Sequence, residues 1–78
     1  MNAKKFLNKF IHVDFIDETN EGECLRWTEG VLTNIDEVKK EDKDYDEIFE
    51  TFIEVESDTG LTRISMRDVR TLFILKEK

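Results

Sequence analysis

The spacing of apolar residues changes early in the chain from a helical period to a period of two. In AKKFLNKF, Phe6, Leu7 and Phe10 stand at i, i+1 and i+4, which predicts a short helix over 3–9 with one apolar edge and Asn2 as its cap. A helix this short holds only when it packs on something. In FIHVDFID the alternation is strict: Ile11, Val13 and Phe15 point one way, His12 and Asp14 the other. The polar turn ETNEGE, containing Gly22, leads into CLRWTEGVLTNID, where Leu25, Trp27, Val31, Thr33 and Ile35 share one parity. Gly30 interrupts this long strand, as glycine does at a bulge or sharp bend. IFETFIEVE is an amphipathic strand with Phe49, Thr51, Ile53 and Val55 on one face and Glu50, Phe52, Glu54 and Glu56 on the other. SDTG reads as a hairpin turn with Gly60 at positive φ. LTRIS is a short strand, and the spacing of Ser65 and Asp68 suits a capped helical turn. VRTLFIL closes the chain as a strand apolar enough for both faces to be covered.

The fold class these elements predict is mainly β: a short N-terminal helix, then a bent five-stranded antiparallel small barrel. It forms one domain over 1–78, with an acidic insertion or loop at about 37–47. Closure is expected because an open sheet leaves edges that pair with other chains.

Composition supports a folded domain with a modest core. Charged residues reach 40%, but six Phe, one Trp and one Tyr supply what a disordered tract lacks, and there is no Pro. One cysteine, Cys24, leaves no internal disulfide and no cysteine-rich metal site. The basic start MNAKKFLNKFIHV is broken by Asn8 and Lys9 and lacks a small-residue cleavage site, so no signal peptide is predicted. No apolar run approaches the ~20 residues of a membrane span. The expectation is a cytoplasmic protein without a membrane partner. Charge is uneven: +3 over 1–12, −13 over 13–62 and +3 over 63–78. An acidic middle repels nucleic-acid phosphates, so direct nucleic-acid binding is not expected.

Three stretches together resemble the Sm-like (LSm) family of SH3-like small barrels. FLNKFIHVDFID resembles the helix exit and first strand. EGVLTNID resembles the second, with Gly30, Leu32 and Asp36 at the spacing of the first Sm motif, and ISMRDVRTLFIL resembles the last two strands with their helical turn. The resemblance implies the barrel fold. The family's RNA binders carry an Asn a few residues after that Asp and an Arg-Gly pair in the second motif. Here the chain reads DEVKKEDKDYD and MRD, so the RNA-contacting groups are not implied.

Candidate chemistry is sparse. A nucleophile needs a base beside it, and the one histidine, His12, sits on a strand among apolar neighbours. Gly22, Gly30 and Gly60 are scattered and make no phosphate loop. Asp42, Asp44 and Asp46 alternate as at the start of a calcium loop, but Glu47 stands where that loop needs Gly and Ile53 where it needs Glu. No catalytic residue, cofactor or metal is predicted, and the chain reads as non-enzymatic.

The stretch KKEDKDYDEIFE is either a solvated loop or a surface for a basic partner, in which carboxylates speed encounter and an aromatic anchors. In the second case the contact residues are Asp42, Asp44, Tyr45, Asp46, Glu47, Glu50 and Glu54. Trp27 is assigned to the barrel interior, with partner contact as the other reading. His12, Arg26 and Phe52 fall on the outer or rim side. The function expected is a regulatory module whose acidic surface binds a basic protein, in its sharpest form an inhibitor mimicking nucleic acid. Two alternatives stand beside it. One is an Sm-like ring that pairs its edge strands LTRIS and VRTLFIL and binds RNA through Arg63, Arg67 and Arg70. The other is a self-assembling structural protein.

Overall fold

A computed structural model describes the backbone of residues 3–42 and 45–76 and the side chains of 3–39 and 49–75. A 3₁₀ turn (Ala3–Phe6) precedes strands β1 (Phe10–Thr19), β2 (Gly22–Asp42), β3 (Tyr45–Ser57) and β4 (Gly60–Ser65). A second 3₁₀ turn (Met66–Asp68) leads into β5 (Val69–Lys76). The strands form one antiparallel sheet in the order β4-β3-β2-β1-β5. No described helix is long and apolar enough to cross a membrane.

The sheet is not closed into a barrel, contrary to the expectation from edge cost. β4 and β5 follow one another in the chain but occupy opposite edges, and the turn Met66–Asp68 crosses between them, packed against β3 and β1. The core forms because β2 serves two ladders. Its first half, from Gly22 to Val31, pairs with β1, and from Val31 onward it pairs with β3. Ile11 and Val13 of β1, Leu32 of β2, Ile53 and Val55 of β3 and Ile64 of β4 meet in one buried cluster.

Gly30 sits at the handover between the two ladders. A Cβ there would collide with the Glu56 carbonyl of β3, so the close approach of the two strands requires glycine. The bulge itself lies further on, where the β2–β3 register slips between Leu32 and Asn34. That slip overturns the parity read along β2. Leu32, not Trp27, is fully buried, while Trp27 and Leu25 are 65% and 66% exposed. Ile35, beyond the slip, packs against the core opposite Ile53.

The N-terminal helix is reduced to the four-residue turn, and Asn2 lies outside the described residues. Asn8, at φ 65°, follows the turn, and the chain docks on β2 just before β1 begins. The Asn8 N–H donates to Leu32 O, and the Leu32 N–H donates to Lys9 O. Ala3 and Phe6 plug the core, whereas Leu7 and Phe10 are exposed. Ser65 occupies the cap position of the second turn, but its hydroxyl makes no capping bond. Phe73 and Leu75 leave one side of β5 uncovered.

Instead of an acidic loop over 37–47, the two strands run on as a ribbon, pairing Glu37 with Thr51, Lys40 with Ile48 and Asp42 with Tyr45. The radius of gyration, 13.6 Å, exceeds the about 11.5 Å of a compact chain of this length, as a projecting ribbon requires.

Candidate functional site

Of the side chains predicted to meet a partner, those of Glu50 and Glu54 lie among the described residues. Asp44 lies outside the described residues, as do the side chains of Asp42, Tyr45, Asp46 and Glu47. Glu50 is buried beneath the second 3₁₀ turn, where Ser65 Oγ donates to its Oε1 at 2.8 Å and Arg67 Nε stands 3.3 Å away. Burial of a carboxylate is tolerated when donors of this kind face it. Glu54 accepts from Arg63 Nη1 at 2.9 Å, and the same guanidinium reaches Asp36 at 3.0 Å through Nη2. Arg63 also stacks over the Phe52 ring at 4.3 Å, linking β4 to β3 and β2. The two carboxylates hold the Arg63 pKa above its usual value, the Asp36 hydrogen bond being the larger cause. Glu50 and Glu54 are thus engaged within the chain.

A different surface assembles on the side of β1 and β2 that faces away from the core. Residues directly opposite one another in an antiparallel ladder share a face. Ile11 and Val13 define the inner face, so four outward pairs follow from the register: His12 with Glu29, Asp14 with Trp27, Ile16 with Leu25 and Glu18 with Glu23. These eight positions hold four carboxylates, three apolar residues and one histidine, and no Lys or Arg. Glu18 opposite Glu23 is a like-charge pair of the kind that weakens a sheet, so at that end of the face the acidity does not serve the ladder.

His12 is the centre of the face. Its Nδ1 lies 2.7 Å from Glu29 Oε2, and its Nε2 lies 2.9 Å from Asp14 Oδ1. Carboxylates only accept, so both ring nitrogens donate and the ring is an imidazolium. Hydrogen bonding to Glu29 first, and to Asp14 second, raises its pKa above the ordinary imidazole value. The ring stacks between Trp27, at 5.8 Å between centroids, and Phe73 of β5, at 5.0 Å. An aromatic row therefore crosses three strands.

Next to this row, Phe10 pairs with Val31, and Val31 pairs with Glu56 of β3. Phe10 and Val31 line an open depression with Glu29, Glu56 and Asp58 among its other walls. His12 and Phe52 lie outward as expected. Arg26 stands opposite Phe15 on the inner side and pairs with Asp17 at 2.7 Å. Sequence reasoning reached Trp27 as a contact only as its second reading. A signal was available: on the parity of Leu25 and Trp27 stand Glu23 and Glu29, which a core face would not accommodate.

Among the described residues no group of three or more His, Cys, Asp or Glu side chains could hold a metal ion. No protein-family model, curated protein or solved structure matches the chain.

Proposed function

We propose that the chain is a non-enzymatic interaction module whose acidic surface binds a basic protein. One observation carries this reading: three of the chain's four arginines are spent on its own carboxylates, and the fourth, Arg70, donates to the Arg67 carbonyl. Arg26 pairs with Asp17, Arg63 with Asp36 and Glu54, and Arg67 with Glu50. On the outward β1–β2 pairs, Asp14, Glu18, Glu23 and Glu29 therefore stand with no Lys or Arg beside them and with His12 as the one cationic group. Such a field steers a positively charged partner and raises its rate of encounter. In its sharpest form the module stands in for nucleic-acid phosphate at a basic site of a nucleic-acid-processing enzyme.

The second reading is an Sm-like ring on RNA. It draws support from the strand order, which leaves β4 and β5 as opposite edges open to pairing with further copies. Against it, Arg63 and Arg67 of the expected positive rim already face carboxylates.

Calorimetric titration with poly-L-lysine and with single-stranded RNA, alongside light scattering after size exclusion, separates the two. The module predicts a monomer or dimer that binds poly-L-lysine, more weakly as salt rises, and ignores RNA. A ring of six or seven chains that binds RNA and not poly-L-lysine reverses the conclusion.

A further inference from the structure

Five of the eight exposed large apolar side chains among the described residues are Phe10, Leu25, Trp27, Phe73 and Leu75, all on β1, β2 and β5. A monomer gains nothing from leaving an aromatic row in water, and contiguous exposed apolar surface marks a contact site. Tryptophan in particular is the residue that most often anchors an interface. Here the row is bordered by Asp14, Glu18, Glu23 and Glu29, with no Lys or Arg among the outward β1–β2 pairs.

We propose that this face, together with the adjoining depression, is the docking surface for a basic, apolar-containing segment of a partner protein. The proposal rests on the reading of the chain as an acidic interaction module, and it locates that activity on β1, β2 and β5 instead of on the β2–β3 ribbon. An apolar side chain of the partner covers Trp27 and Phe73. A Lys or Arg lays its alkyl stem over Phe10 and Val31 and brings its cation among Glu29, Glu56 and Asp58.

Charge complementarity decides between possible occupants. Phosphate backbones and anionic lipid headgroups meet an acid excess, four carboxylates against the single imidazolium of His12, and are repelled. A second copy docking about a two-fold axis would bring the same patch, and hence acid, against acid. A cationic segment with interspersed apolar residues satisfies both the charge and the exposed rings.

The test uses the whole chain and three synthetic peptides: one alternating Lys and Leu, one alternating Glu and Leu, and one of Lys alone. Trp27 is the chain's one tryptophan, so its emission reports this face directly. The Lys–Leu peptide is expected to shift Trp27 emission to the blue and to move amide resonances of Phe10–Glu18 and Glu23–Val31. Replacing Glu29→Gln and Glu56→Gln together is expected to weaken it about tenfold, as loss of about 1.4 kcal/mol does. Trp27→Ala is expected to weaken it by a similar factor while amide spectra show an intact sheet.

Equal binding of the Glu–Leu peptide overturns the proposal, since recognition would then be apolar alone. A blue shift on concentrating the protein by itself makes a second copy the occupant and overturns it too. Basic peptides that move only amides of residues 37–50, with Trp27 silent, overturn this surface but leave the acidic module standing. A chain that binds none of the basic peptides overturns both.

Discussion

Trp27 and Ile35 lie eight residues apart in one strand, an even spacing, yet they point to opposite faces of the sheet. The β2–β3 ladder slips between Leu32 and Asn34, and the extra residue reverses the alternation. Ile35 consequently packs on the core and Trp27 stands 65% exposed. Leu32→Ala is therefore expected to cost about 3 kcal/mol by opening a cavity, while Trp27→Ala costs under about 1 kcal/mol. Urea unfolding of both variants checks this order. A larger loss for Trp27→Ala would return the indole to the core.

Gly30→Ala is expected to destabilise by at least about 2–3 kcal/mol, since the new methyl meets the Glu56 carbonyl and backbone has to move. Gly22→Ala and Gly60→Ala are different cases. Each has open space for a Cβ but positive φ, at 114° and 124°, so the cost there is conformational, about 1–2 kcal/mol. Thermal melts of the three variants should rank Gly30→Ala lowest.

Protonation of His12 couples stability to pH. In the unfolded chain the imidazole titrates at its ordinary value; in the folded chain Glu29 and Asp14 keep it charged to higher pH. The stability it contributes is complete below the ordinary value and is lost as pH rises through the raised one. His12→Gln should flatten the stability profile in that window. Trp27 fluorescence offers a second readout, because the titrating ring stacks on the indole and its emission is expected to change as the imidazole loses its proton. A midpoint at or below the ordinary imidazole value would contradict the double carboxylate clamp.

Ser65→Ala removes the hydroxyl donor from the buried Glu50 carboxylate. The expected cost is about 1–3 kcal/mol, the range for depriving a buried acceptor of its partner. Ser65→Thr, which keeps a hydroxyl, should retain more of the stability than Ser65→Ala in the same denaturant series.

Much of the fold was legible in the chain because its causes are local. Alternation of apolar and polar residues placed β1 and β3 close to their observed positions, since the side-chain period of a strand is two whatever surrounds it, and the flanking turns with an apolar run placed β4 and β5. The turns at Gly22 and Gly60 were equally readable, because positive φ is a property of the residue. The acid excess, too, belongs to the composition. What the tertiary structure decided is what depends on partners distant in sequence. The register slip at Thr33 turned Trp27 outward, and the 3₁₀ turn after Ser65 covered Glu50. Extended pairing made a ribbon of the expected acidic loop, and the crossing from β4 to β5 left the sheet open. Neither a bulge nor an edge is encoded at one position: each arises where two strands meet, and only the assembled sheet fixes which face of β2 holds the core and which is offered to a partner.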